Sequence, residues 1–355
     1  MESASLLFTL SGFRLGLHTP SETTMLKSNE QAATPRCVAV TGATGFIGRN
    51  LVRELTQRGH RVRALAQRRD FARSLPRENV TVVVGDIFDA SDMDDLTAGA
   101  DAMIHLIGIR REMPGGVTYE KLHVESTRSA LAATERSGAT RFLQMSALGA
   151  RPEAACLYHR TKWEAEELVR ASGLDWTILR PSVILGPDGE FIKLAQGWAR
   201  GEESPKHFMP YFSRPMPMAG ERVPDRADLA ALVQPISVQD VARSFAEALV
   251  RPEAIGEAYA LVGPDVLTWP QLLVLIRDAT PGAKRHIQPI GIPAQIASPA
   301  AMVFQKIGLG TLLPFGPSEP IMATEDSTGS PAKVRADLGV TPASFEDTLA
   351  WSLSA

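Results

Sequence analysis

The sequence predicts an α/β protein: a doubly wound parallel sheet with helices on both faces, followed by a smaller, irregular C-terminal region. Three observations predict it. Short apolar runs alternate with helical periodicities from Arg36 to Pro181, joined by short connections, the pattern of successive βαβ units. The first of these units carries a glycine-punctuated turn between strand and helix. At 355 residues, 44% apolar and 22% charged, the chain is also long enough, and ordinary enough in composition, to bury a large core.

Cys37 to Val40 is an apolar run that reads as a buried strand. Thr41-Gly42 opens a turn in which Gly42, Gly45 and Gly48 stand at GxxGxxG spacing. Ile47, Leu51 and Leu55 then recur every four residues beside Val52, one apolar helix face. Gly59 ends that helix, where a left-handed residue is cheap, and Arg61–Ala66 completes the unit as a strand. Asn79–Val84 follows as a strand, Ser91–Thr97 as a helix capped by Ser91, and Asp101–Ile107 as a strand. Tyr119–Ser137 reads as a helix stopped by Gly138, Arg141–Met145 as a strand, Tyr158–Ala171 as a helix ending near Gly173, and Trp176–Leu179 as a strand.

In open parallel sheets, ligands bind beyond the carboxyl ends of the strands. A glycine turn lets backbone approach a pyrophosphate, and the helix start behind it offers unpaired N–H groups and the positive end of a dipole. With a strand before it and an amphipathic helix after it, the motif reads as a dinucleotide site rather than a bare turn. Gly42, Thr44, Gly45, Phe46, Ile47, Gly48 and Arg49 are its candidate phosphate-side residues. Residues 35–181 are thereby an NAD(P)-binding, Rossmann-like domain whose core continues to about 270, and 182–355 the smaller substrate or partner region.

The second strand ends Gln67-Arg68-Arg69, with no carboxylate before Asp70. Arginine pairs well with a ribose 2′-phosphate. NADP(H) is therefore expected over NAD(H), with solvated surface charge as the alternative for Arg68 and Arg69. Asp86, with Ile87, ends the third strand, where a carboxylate accepts from an adenine amino group or serves as a turn residue. Leu106, Gly108 and Pro181 are the remaining strand-end candidates for cofactor contact. His105 lies within an apolar strand and reads as a core residue with no catalytic role.

Ser146, Tyr158 and Lys162 form the candidate chemical group. Tyr158 and Lys162 are four apart on one helix face. A phenol with pKa near ~10 is a poor proton shuttle at neutral pH, and a nearby ammonium favours its phenolate. Ser146, at a strand end, is placed to hydrogen-bond a substrate oxygen while the phenol moves a proton and a nicotinamide moves a hydride. The alternative is an exposed helix start with Lys162 paired to Glu166.

With these residues assembled, the chain resembles the extended or atypical branch of the short-chain dehydrogenase/reductase superfamily. The resemblance rests on TGATGFIG, Gly85-Asp86, YHRTK (Tyr158 to Lys162) and LRPSVILGP (Leu179 to Pro187). It is clear over residues 36 to 270. His123-Val124-Glu125, FLQMSALGA (Phe142 to Ala150) and QPISVQDVA (Gln234 to Ala242) are similar to the NAD(P)H-binding accessory subunit of respiratory complex I and its bacterial relatives. The resemblance implies that Gly42, Gly45 and Gly48 hold the pyrophosphate, Asp86 the adenine and Lys162 the nicotinamide ribose. It also implies tight NADPH binding without an established reaction, or a link to quinone metabolism. His123 and Ser126 replace the Asn and Gly usual in the wider extended group. A charged insert, ERVPDRADLAALV (221–233), takes the substrate pocket away from the sugar-nucleotide pattern.

Three functions follow as expectations. One is an oxidoreductase acting on a small carbonyl or quinone-like substrate. The second is an NADPH-binding structural, assembly or redox-sensing protein. The third is a sugar-nucleotide epimerase or dehydratase. A net charge of −3 gives no reason to expect nucleic acid. Two cysteines, Cys37 and Cys156, support neither a disulfide framework nor a structural metal site. No apolar run reaches the ~20 residues a membrane span needs. The expected location is cytoplasmic, with organelle targeting by residues 1–34 the alternative to their reading as a disordered leader, and Met25 an alternative start. Lys206 to Pro217 reads as an aromatic, proline-rich loop. Ser298 to Ile307 reads as a short apolar helix with Ser298 as N-cap, Pro299 first and Gly308 as stop. That helix packs on the main domain or makes peripheral contact with a membrane or respiratory complex. Glu325–Pro331 reads as a linker to a last helix, Ser344 to Leu353.

Overall fold

Five consecutive residues of β1 (Cys37–Thr41) are buried on both faces, as an interior strand of a parallel sheet requires. The computed structural model describes residues 35–215, 229–306, 313 and 315–354. The leader, and 221–228 of the charged insert, lie outside the described residues. β1 is followed by α1 (Phe46–Gln57), β2 (Arg61–Ala66), β3 (Val80–Val84), α2 (Ala90–Thr97) and β4 (Ala102–His105). Next come α3 (Ser126–Ser137), β5 (Arg141–Met145), α4 (Leu157–Ala171) and β6 (Asp175–Pro181). Beyond them lie β7 (Ile184–Leu185), α5 (Glu190–Arg200), β8 (Phe208–Ser213), β9 (Leu232–Val233), β10 (Ile236–Ser237), α6 (Val238–Val250), β11 (Glu257–Leu261) and β12 (Leu267–Thr268). The chain closes with α7 (Trp269–Ala279), β13 (Gln288–Pro293), α8 (Ala294–Lys306), α9 (Ser318–Met322), α10 (Ala332–Leu338) and α11 (Phe345–Ser352).

The main sheet has seven strands among the described residues, in the order β11-β6-β5-β4-β1-β2-β3, and every pairing is parallel. The order reverses between β1 and β4, which opens a crevice at the carboxyl ends of those strands. Its last strand, β11, comes from well beyond Pro181. Alternation along the strands splits the core in two. Val38 and Val40 face α1 and α6, with Leu51, Leu55 and Phe245. Ala39 and Met103 face α2, α3 and α4, with Met93, Leu131 and Val169. A third apolar cluster joins α5, α7, β8, β13 and α11 through Ile192, Trp198, Met209, Leu272, Ile287 and Phe345.

Several local expectations are corrected. α2 is capped by Asp89, whose Oδ1 accepts from the N–H groups of Ser91 and Asp92. The carboxylate two residues earlier outcompetes the Ser91 hydroxyl. The helix expected from Tyr119 starts as a π-helical turn, Glu120–Glu125, before α3. Part of the expected loop after Lys206 is strand β8, paired in parallel with β13. α8 begins at Ala294, directly after β13, so Ser298 and Pro299 are interior. The Ser298 hydroxyl donates to the Pro317 carbonyl instead of capping. Pro299 gives up one helical hydrogen bond, while Ala297 and Ala301 pack inward. Ile307 and Gly308 lie outside the described residues. Glu325–Pro331 is no free linker: Ser327 bridges Val233 and meets Ser182.

Candidate functional site

The glycine turn is built by close approach. Gly42 has φ +69°, a left-handed conformation, and a Cβ there would meet the Leu106 carbonyl carbon at 3.1 Å. A Cβ on Gly48 would strike the Ala43 carbonyl carbon at 2.6 Å. Only glycine lets the first turn of α1 pack on β1 this tightly. Gly45 is the N-cap, with no side-chain cap, and the first turn holds no acidic residue. The leading N–H groups of α1 thus face the crevice without a competing carboxylate, which fits a pyrophosphate. Thr44 lends its carbonyl to Arg49, whose guanidinium also lies 3.6 Å from Asp188. The Phe46 ring packs against Gly186 and Gly189. Arg49 and Phe46 therefore tie the turn to the segment after β7.

At the end of β2, Arg68 makes a bidentate pair with Asp70 (2.8 and 3.0 Å) and lies over the Phe71 ring. Arg68 and Arg69 are both exposed. Asp86 is exposed, and its Oδ1 accepts from the Phe88 N–H at 3.0 Å, a turn-forming role. Ile87 is buried against Met93 and Leu96. Gly108, at the end of β4, leaves space for Lys162: a Cβ on it would lie 2.8 Å from Nζ. Leu106 packs on the turn through Gly42, and Pro181 accepts from the Leu148 N–H at 3.0 Å.

Tyr158 and Lys162 stand on the first turns of α4, as their spacing requires. Lys162 is 4% exposed and donates to the Met145 carbonyl at 3.2 Å. Burial lowers its pKa to about 8, with Glu166 partly offsetting the drop. The Tyr158 ring makes edge contacts with Tyr119, His123 and His159. Burial raises its pKa to about 12, and the cation that opposes the rise is Arg110. The expected lowering of the phenol by Lys162 is thus not seen: the opposing charge is Arg110's, and desolvation outweighs it. Ser146 is also redirected. Its buried hydroxyl donates at 2.5 Å to Glu166 Oε1. Glu166, fully buried, also accepts from Arg170 (2.8 Å) and from Arg180. It makes no ion pair with Lys162. His105 is the core residue expected, held by Thr41 at 2.7 Å and Ser126 at 3.2 Å, with its pKa lowered to about 3 by burial.

Three groups around Tyr158, of which only His123 was singled out in the sequence, have contacts that the sequence did not show. Arg110, on the loop after β4, pairs with Glu190 at 2.7 Å and lies 3.6 Å from Glu319 of α9. His123 is buried, bonded through Nδ1 to Thr161 (2.9 Å) and through Nε2 to the Ile109 backbone, and burial holds its pKa well below the usual range. Glu325 takes a bidentate pair from Arg151 and faces His159 Nδ1 at 3.3 Å. The Arg110 and Glu325 contacts join residues 80 or more positions apart, and even those of His123 span 14 and 38, so no local pattern announces them.

A family model described as NAD(P)H-binding matches residues 42–203. A ceramide reductase of Caulobacter vibrioides is 39% identical over 172 residues, 47% of this chain and 53% of that protein. The mitochondrial NADH dehydrogenase [ubiquinone] 1 alpha subcomplex subunit 9 of Arabidopsis thaliana is 29% identical over 280 residues, 76% of this chain and 64% of that protein. The chain thus spans between about half and two thirds of the length of these relatives. A UDP-glucose 4-epimerase of Thermotoga maritima has the same fold, with a TM-score of 0.65 at 19% identity over 89% of this chain and 97% of that one. The resemblance read from the sequence holds. The chain carries an NAD(P)H-binding domain on a Rossmann-type sheet, and its homologues include complex I subunits.

Proposed function

We propose that the chain is an NADPH-dependent oxidoreductase of the short-chain dehydrogenase/reductase type, acting on a small carbonyl or quinone-like substrate. The observation that carries this reading is the intact Tyr158/Lys162 pair beyond the carboxyl ends of β4 and β5, with Lys162 Nζ fitted under Gly108. A bound nicotinamide would supply the hydride. Tyr158 would give its proton to the substrate oxygen, and Arg110, the cation nearest its hydroxyl in effect, would stabilise the phenolate left behind. Lys162 would hold the ribose hydroxyls. Arg68 and Arg69 support NADP(H), and the relative named as a ceramide reductase supports the redox reading.

One observation favours the second reading, a non-catalytic NADPH-binding protein of the accessory-subunit type. Burial raises the Tyr158 pKa, which makes it a weaker proton donor, and Ser146 is engaged by Glu166. Tyr158→Phe separates the two. As an enzyme, the variant loses carbonyl-dependent NADPH oxidation by a factor on the order of 100 or more and keeps its NADPH affinity. Wild-type protein that co-purifies with NADPH and fails to oxidise it with any of the carbonyls and quinones offered overturns the enzymatic reading.

A further inference from the structure

α8 is packed inside out. Small residues face the protein: Ala294, Ala297, Ser298 and Ala301 are buried. Three large apolar residues face away, Ile296 at 62% exposed, Val303 at 56% and Met302 at 47%, while Phe304 is half-buried. Pro299 and Ala300 share that exposed face, so it shows no charge from Gln295 to Gln305. Helices on water-facing surfaces place their large apolar residues inward, and contiguous exposed apolar patches mark contact sites. Beside the helix, Ile290 of β13 is 48% exposed.

The strands that α8 packs on lie in stretches of chain without acidic residues. No Asp or Glu occurs in residues 279–318 or 204–220. These two segments contain β13 and β8, which pair, and α8, which packs on both. Basic residues precede both strands: Lys206 and His207 before β8, and Lys284, Arg285 and His286 before β13. Among the described residues, Lys206, Lys284 and Arg285 have no ion-pair partner. An exposed apolar helix face, packed on two strands that unpaired cations lead into, is complementary to a negatively charged bilayer surface.

We propose that the outer face of α8, with β13 and β8 beside it, docks on an anionic phospholipid bilayer. This is independent of whether Tyr158 performs chemistry. α8 packs on α9, whose Glu319 faces Arg110, so the docking face lies one helix away from the residues around Tyr158.

The test is co-sedimentation of the full chain with vesicles of phosphatidylcholine alone and of phosphatidylcholine mixed with phosphatidylglycerol. The mixed vesicles should bind at least about tenfold more protein at low salt, and salt should weaken the binding. Ile296→Asp with Val303→Asp should reduce binding roughly tenfold while leaving NADPH affinity unchanged, which reports an intact fold. Lys206→Glu with Arg285→Glu, on exposed positions of a different kind, should abolish the preference for the mixed vesicles. Absence of binding to either vesicle, or binding that survives both double variants, overturns the proposal. So does a wild-type dimer that the Ile296/Val303 variant dissolves, because a second copy of the chain then covers the face.

Discussion

Replacing Lys162 by Met should make the protein more stable near neutral pH. The lysine is 4% exposed, donates to one carbonyl, and has a pKa drawn from 10.5 to about 8 by burial. That drop corresponds to about 3 kcal/mol of cost for holding the charge inside. Methionine fills similar space without the charge, and leaves the Met145 carbonyl without this donor, a loss of about 1 kcal/mol. The net expectation is about 2 kcal/mol of stabilisation, or roughly 2–6 °C in Tm. The pH dependence fixes the cause. Below about pH 8 both folded and unfolded wild-type chains carry the proton, and the cost is fully felt. Between about 8 and 10.5 the unfolded chain binds more protons than the folded one, so wild-type stability rises with pH. Tyr158, with its raised pKa, acts in the opposite sense only above its ordinary value of 10. Thermal unfolding of both proteins at about pH 7 and about pH 9.5 should show the Met advantage shrinking by about 2 kcal/mol. A Met variant less stable than wild type at pH 7, or one whose advantage does not change with pH, refutes the reasoning.

Gly48→Ala should cost about 1–3 kcal/mol by overpacking against the Gly42–Ala43 backbone. It should also weaken NADPH binding, read by unfolding and by calorimetric titration of the same sample. Glu166→Gln leaves two arginines and Ser146 around a neutral amide. Buried pairs broken this way cost about 3–5 kcal/mol, but Arg170 and Arg180 are 27% and 24% exposed, so roughly 2 kcal/mol is expected from urea unfolding. The same change should move the Lys162 pKa further down, since Glu166 is what raises it. Arg68→Glu with Arg69→Glu should reduce NADPH affinity roughly 10–100-fold, the worth of charge-assisted bonds to a 2′-phosphate. NADH affinity should stay within a few-fold, and equal losses for both nucleotides would assign the arginines to surface charge.

Most of the main sheet was readable because its signals are local. Strand runs such as Arg61–Ala66 and Arg141–Met145 match the structure residue for residue. In each, apolar periodicity and a neighbouring turn residue coincide. β8 was missed because Pro210 within the run argues against a strand, and pairing with β13 overrides it. Ser298-Pro299 misled for the same reason: a strong start signal lies inside a helix that the end of β13 already launches.

The site divides along the same line. The sequence by itself determined the glycine turn, the strand ends and the i,i+4 relation of Tyr158 to Lys162, because each depends on backbone geometry within a few residues. Only the tertiary structure decided what those side chains meet. It gave Ser146 to Glu166, set Arg110 rather than Lys162 against the phenol, and turned the large apolar face of α8 outward. Desolvation and long-range pairing are properties of the packed interior, set by residues that distant stretches of chain bring together.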